Sequence, residues 1–181
     1  GLYDLIGIDL MADVLKSFIK ELPENDKFQD VAKEIPLVTK LIKTGYTGRK
    51  GKGGFYRMNK SNNQKILEAI NLENGDYSPT KKIDLGFETV DLKKLIDRKD
   101  KYGEYAWSII SKIIKYASSL VPGITNKFND IDEAMRLGFN WAMGPFEMLK
   151  SIGVKNFFDR IDDFQGNKFL ENLSSNKDEN F

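Results

Sequence analysis

The chain has no histidine and no cysteine. Without histidine it lacks the commonest general base near neutral pH and the commonest metal ligand. Ser-His-Asp and Cys-His catalysis are excluded within these residues. Without cysteine, disulfides and thiolate metal sites are excluded as well. Net charge is also nearly absent: 28 basic and 27 acidic side chains leave +1. No global field therefore favours nucleic acid or an anionic membrane as partner. No apolar run approaches the roughly 20 residues that span a bilayer. The opening GLYDLIGIDLMADV carries acidic residues where a secretory leader carries basic ones. A cytoplasmic setting is the default expectation. An enzyme confined to these residues would have to work with carboxylates, Lys and Tyr.

What remains is a globular balance, 40% apolar and 30% charged over 181 residues, enough for one domain or two small ones. Leu10, Val14, Leu15, Phe18, Ile19 and Leu22 recur at helical spacing, and Pro23 closes that helix. Pro36 sits where a short helix begins, and Gly45 where it is capped. The glycine-rich run GYTGRKGKGG cannot be helix, and the FYRM after it reads as extended. Lys65–Asn71 and Tyr77–Asp84 read as two short strands, with Asn74–Gly75 as a hairpin signal. TVDLKKLIDRKDKYG predicts a short helix and a turn. Ala106, Ile109, Ile110, Ile113, Ile114, Ala117 and Leu120 form a wide apolar stripe on a core helix that Pro122 ends. Asp130 is placed to cap the next helix, with Glu133 three residues on, and that helix ends at Gly138. Pro145 opens another, with Gly153 just past its end. Phe157 to Leu173 repeats the amphipathic pattern of the first helix, and SSNKDENF reads as a frayed tail. LYDLIGI (Leu2 to Ile8) aligns with MLKSIGV (Met148 to Val154), an internal repeat.

Several groups invite a functional reading. GRKGKGG, Gly48 to Gly54, resembles a phosphate cradle, but Tyr46 stands where a Walker loop needs its first Gly. Gly53 comes after Lys52 where Ser or Thr should hold magnesium, and no helix begins there. RNA binding through Arg49, Lys50 and Lys52 would rest on one short basic loop, a weak footprint. A tight turn passing close to a neighbour, with Phe55 and Tyr56 packed on the core, is the favoured reading. Asp130, Asp132 and Glu133 lack calcium-loop spacing and read as helix caps. Asp162 and Asp163 read as solvated, as do Lys81 and Lys82, the latter two being neighbours that could meet an acyl-CoA phosphate. Phe139, Trp141, Phe146, Phe157 and Phe158 read as core before pocket.

Two motifs carry a resemblance. PLVTKLIKTGYTGRKGKGGFY is similar to a pattern in which a proline-led helix precedes a glycine-rich turn ending in GFY. DIDEAMRLGFNWAMGPFEMLKSIG resembles the pattern that runs from DID through GF and GPFE to IG. Both belong to the C-terminal domain of 3-hydroxyacyl-CoA dehydrogenases. LYDLIGIDLMADVL resembles the segment just after GPF in an earlier copy of that domain. The order is that of the longer bacterial fatty-oxidation enzymes with tandem C-terminal domains.

The resemblance implies NAD-dependent oxidation of a 3-hydroxyacyl-CoA to the 3-ketoacyl-CoA in fatty-acid beta-oxidation. Its catalytic His and Glu lie in an N-terminal NAD-binding domain, which these residues lack. The family's Asn in the first helix of copy one would lie before Gly1, and Glu104 to Leu120, the matching helix of copy two, has no Asn. No catalytic, cofactor-binding or metal residue is therefore assigned. The expected fold is mostly α, two helical units joined by a connector with a short β-hairpin. Residues 1–58 are the end of a first C-terminal domain, 59–100 the connector, 101–175 a second copy, and 176–181 a frayed tail. The start on Gly1, inside a motif, predicts a piece of a longer polypeptide, inactive alone. The expected partners are acyl-CoA in the parent enzyme, neither nucleic acid nor a membrane span, and a homodimer through helical faces. The rival reading is a stand-alone helical interaction module.

Overall fold

A computed structural model describes residues 1–61, 64–82, 84, 86 and 91–176. They fall into two compact units, Gly1–Asp84 and Leu85–Phe181.

Unit 1 opens with α1 (Leu2–Ile6) and α2 (Ile8–Glu21), joined at Gly7. Gly7 takes φ 116°, ψ 125°, a left-handed conformation that only glycine adopts without strain. A proline at the first helical turn starts α3 (Pro36–Lys43), as its fixed φ favours. The glycine-rich turn then leads into a three-stranded antiparallel sheet ordered β1 (Tyr56–Ser61), β2 (Gln64–Ile70), β3 (Tyr77–Pro79). The β1–β2 register pairs Tyr56 with Ala69, Met58 with Leu67 and Lys60 with Lys65. Asn74–Gly75 makes the expected turn, with Gly75 at φ 82°. The expected hairpin is thus two strands of a three-stranded sheet, and its second strand stops at Pro79 rather than Asp84. The core is small: Ile8, Leu41 and Ile70, flanked by Leu37, Val38, Ile42, Tyr46, Phe55 and Tyr77. The α2 stripe is only partly used, since Leu10, Phe18 and Ile19 stay exposed and Phe18 packs edge-on against Phe28.

Unit 2 contains α4 (Leu92–Ile96), α5 (Lys101–Ser119), α6 (Phe128–Phe139), α7 (Pro145–Ile152), α8 (Val154–Phe158) and α9 (Lys168–Asn176). The Asp100 side chain caps α5 by accepting from the amides of Tyr102 and Gly103. Ile110 and Ile114 of α5 meet Leu149 and Ile152 of α7, with Ile96, Phe157, Leu170 and Leu173 completing the core. Asn167 binds α9 into place, donating to the Lys115 carbonyl at 3.1 Å and accepting from the Leu170 amide at 3.1 Å. The Arg160 guanidinium lies 4.3 Å above the Trp107 ring and donates to Asp97 and to the Ile96 carbonyl.

Three expectations need correction here. Phe157 to Leu173 is not one helix: α8 ends at Phe158, and α9 starts only at Lys168. The helix placed after Asp130 begins at Phe128, so Asp130 lies inside it, accepting from the Thr125 hydroxyl at 2.8 Å. That helix passes Gly138 and ends at Asn140, whose φ of 54° is left-handed. Residues 177–181 of the expected tail lie outside the described residues.

Candidate functional site

Each unit is organised by one buried carboxylate that gathers backbone amides. In unit 2 this is Asp132 on α6. Its oxygens accept from the amides of Phe146 at 2.8 Å and Glu147 at 3.1 Å, so it caps α7 from a different helix. Glu147 reciprocates for its own helix by accepting from the Gly144 amide at 2.8 Å, and Arg136 pairs with it at 3.1 Å. A Cβ on Gly144 would collide with Asp132, including its Cβ at 2.5 Å, so the bend needs glycine there. Burial pushes the Asp132 carboxyl above its ordinary range, against the lowering effect of the two amides.

In unit 1 the corresponding carboxylate is Asp4 on α1. It accepts from the amides of Phe55 and Tyr56, both at 2.8 Å, and the Asp4 carbonyl accepts from the Arg49 amide at 2.8 Å. The glycines of GRKGKGGFY serve this approach: a Cβ on Gly54 would meet the Asp4 carboxylate and Ile8 Cδ1 at 2.9 Å. A Cβ on Gly48 would strike the Asp4 backbone. Five of the turn's amides are already committed. Those of Gly48, Arg49, Gly51, Lys52 and Gly54 all donate to carbonyls of the protein. Those five are not open to a phosphate.

The sheet face beyond the turn holds a second polar cluster. Arg57 pairs with Glu68 at 2.7 Å and lies 4.0 Å over the Tyr77 ring. Tyr77 stacks on Tyr46 and donates to the Gly54 carbonyl. The Asn59 amide, and then Arg57, hold the Glu68 carboxyl below its ordinary range. A 570 Å³ hollow opens beside Tyr46, Arg57 and Tyr77.

The groups singled out in the sequence separate cleanly. Asp132 is a cap, as expected, but for α7 rather than for its own helix. Phe55 packs on the core with an edge contact to Tyr3, whereas Tyr56, expected beside it, is 42% exposed. Phe55 lies just before β1, whereas Tyr56 opens the strand on the face it shares with Met58 and Lys60. Phe146 and Phe157 are fully buried and Phe158 packs against that core, but Phe139 is exposed at the end of α6. Lys81, Lys82, Asp162 and Asp163 are exposed. The role of Asp4 was missed because the amides it holds, those of Phe55 and Tyr56, lie more than fifty residues away. The only signal was the exchange of Asp4 for Lys150 between the repeats.

The family model described as 3-hydroxyacyl-CoA dehydrogenase, C-terminal domain, matches residues 1–58 and 105–171. A protein of Rickettsia prowazekii described as a fatty acid oxidation complex trifunctional enzyme is 42% identical over 161 residues, 89% of this chain and 22% of its own length. Its namesake in Rickettsia felis matches to the same extent. A protein of Bacillus subtilis described as a 3-hydroxyacyl-CoA dehydrogenase is 27% identical over 165 residues, 88% of this chain and 20% of its own length. The chain thus spans about a fifth of the length of these relatives. No solved structure matches.

Proposed function

Because this chain belongs to the 3-hydroxyacyl-CoA dehydrogenase C-terminal domain family, we propose that it forms the substrate-side and assembly part of an NAD-dependent 3-hydroxyacyl-CoA dehydrogenase. The reaction is that of fatty-acid beta-oxidation: the 3-hydroxyl of an acyl-CoA becomes a ketone, hydride passes to NAD, and a proton leaves to a base. The observation that carries this reading is the family match across both 1–58 and 105–171. The same match supports the division into a first domain end (1–58), a connector (59–100) and a second copy (101–175).

Within this reading the chain's own residues bind and position rather than react. Hydride transfer needs the cofactor held against the substrate and a base beside the hydroxyl. These residues include no histidine, and their glycine-rich turn spends five of its amides on its own fold. NAD and the base belong to a separate dinucleotide-binding domain, while Asp4 holds the glycine-rich turn in shape and Asp132 the start of α7. The 181 residues alone are inactive. The check is NADH-dependent reduction of acetoacetyl-CoA by the pure chain; measurable turnover would overturn the inactivity. No helix among the described residues is long and apolar enough to cross a membrane, which accords with a cytoplasmic setting.

One observation favours a second reading, a helical module that dimerises. Leu2, Leu5, Ile6 and Leu10 on α1 and α2 are exposed apolar side chains. A dimer in sedimentation equilibrium that dissociates when Leu5 and Leu10 become Ser would favour that reading; a monomer at all concentrations would remove it.

A further inference from the structure

The two edges of the unit 1 sheet differ. β1 and β3 are its outer strands, and an outer strand turns one row of amides and carbonyls away from the ladder. β3 is only three residues long, and its last residue, Pro79, has no amide to offer. Short length and an edge proline both guard against the addition of another strand. β1 is six residues long and holds neither proline nor glycine.

The register shows which backbone groups of β1 are open. The Ile70 amide donates to the Phe55 carbonyl, so alternate residues from there, Arg57, Asn59 and Ser61, bond to β2. Tyr56, Met58 and Lys60 therefore turn their backbone groups outward. Those of Tyr56 are engaged: its amide donates to Asp4, and its carbonyl accepts from the Gly54 amide. The amides and carbonyls of Met58 and Lys60 have no protein partner among the described residues.

These open groups complement themselves. Two β1 strands can lie antiparallel with a two-fold axis at Asn59. Met58 then pairs with Lys60 of the second copy, and Lys60 with its Met58. Both are hydrogen-bonded pairs, so every open amide and carbonyl is used and no engaged group is disturbed. A two-fold axis at Met58 would instead call on Tyr56, whose groups are spent. Charge fits the same register. Lys60 already faces Lys65 within its own sheet. In the pair it meets the Met58 side chain rather than another ammonium.

We propose that two copies of this chain associate by pairing their β1 edges, Met58 against Lys60, into one continuous sheet. A second copy is preferred to an unrelated extended peptide because each open group finds its match in the same two residues. The pairing uses strand edges, not the helical faces of α1 and α2, and does not depend on the dehydrogenase reading.

The test is sedimentation equilibrium of the full chain, with amide hydrogen exchange followed by NMR. So short an edge makes a small, transient interface, and a dissociation constant on the order of 0.1–1 mM is expected. As concentration rises through that range, the Met58 and Lys60 amides should exchange roughly twofold to threefold more slowly, and the Tyr56 amide at its former rate. Met58→Pro should weaken the dimer at least about tenfold with an unchanged circular dichroism spectrum, because an outward-facing nitrogen gives up no ladder bond. If that variant fails to fold, Met58→Lys sets a second ammonium against Lys60 of the copy and should weaken the dimer as much. Leu5→Ser together with Leu10→Ser should leave it unchanged. A monomer up to about 2 mM overturns the proposal. So does a dimer that survives both changes at Met58, or protection confined to other amides. Loss of the dimer in the Leu5 and Leu10 variant overturns it too, as does growth beyond dimers, which a two-fold pairing does not give.

Discussion

Where α7 buries Leu149 and Ile152 completely, α1 leaves the aligned Tyr3 and Ile6 48% and 40% exposed. The backbone nonetheless repeats closely. Gly7 and Gly153 both take left-handed φ with ψ near 125° (125° and 127°). The Gly7 amide donates to the Tyr3 carbonyl, and the Gly153 amide to the Leu149 carbonyl. The Met11 amide donates to Gly7 as the Phe157 amide donates to Gly153, both at 3.0 Å. The two segments thus share a helix-glycine-helix frame set by local chemistry, and differ in what covers it. In unit 2, α5 lies across α7. In unit 1 the frame is instead tied to a returning glycine-rich turn through Asp4. The aligned residue, Lys150, is exposed, with its ammonium 5.7 Å from the centre of the Phe128 ring. The lesson is that the frame repeats and the cover does not.

The largest effect should come from breaking that difference in cover. Ile152→Ala should cost about 2–5 kcal/mol, as core truncations do. Ile6→Ala, at the aligned position, should cost under about 1 kcal/mol. Urea unfolding can report unit 2 through tryptophan, since Trp107 and Trp141 are the chain's two tryptophans and both lie in it. Far-ultraviolet circular dichroism reports both units together. Equal costs for Ile152→Ala and Ile6→Ala would break the comparison.

Next come the carboxylates. Asp132→Ala and Asp4→Ala each leave two amides without an acceptor and should each cost about 3 kcal/mol, while Lys150→Ala, which loses an exposed contact over the Phe128 ring, should cost about 1 kcal/mol or less. The pH dependence separates them further. Asp132 has a folded-state pKa raised above the ordinary 3.8 by burial. Its protonation therefore stabilises unit 2 fully below 3.8, and that contribution is lost as pH rises through the folded value. Asp100 does the opposite: the Arg98 guanidinium, aided by the Gly103 and Tyr102 amides, holds it at about 2. Its contribution is present above 3.8 and fades as pH falls through about 2. Asp132→Asn should flatten the first slope and Asp100→Asn the second, both read from tryptophan-monitored unfolding across pH. A slope unchanged by Asp132→Asn would remove the raised carboxyl from the account.

Gly54→Ala is smaller, about 1–3 kcal/mol, because the new methyl must push Asp4 and Ile8 apart. The loss should appear in circular dichroism and leave the tryptophan transition where it was. A shift of the tryptophan transition would mean that the turn stabilises more than its own unit.

Much of this was legible in the sequence, for reasons that differ by element. Pro36, Pro145, Gly153 and Asn74–Gly75 act through local backbone geometry, so residue type alone predicted their places. The α5 stripe was legible because one long helix samples its period many times. The motifs GRKGKGGFY and GPFE carried the family. What was hidden depends on distant partners. Asp132 reaches across to another helix, and Asp4 binds a turn far along the chain. The exposure of Tyr56 depends on which face of a short sheet is covered, and the break between α8 and α9 interrupts a pattern that stays amphipathic throughout.

The smallest expected effect tests the glycines of one motif against each other. Gly138 and Gly144 both lie in the stretch that identified the family. Gly144 is pinned, because a Cβ there would run into Asp132. Gly138 lies inside α6, and a Cβ there meets nothing within 4 Å. Glycine in a helix interior costs up to about 1 kcal/mol relative to alanine, through the freedom it loses on folding. Gly138→Ala should therefore raise the unfolding free energy of unit 2 by roughly that much, while Gly144→Ala lowers it. Leu137 and Phe139, on either side of Gly138, are themselves largely exposed. If Gly138→Ala destabilised the chain instead, and did so more at high protein concentration, the open surface of α6 would be closed in solution by a second copy. The cover missing from the described residues would then have a source.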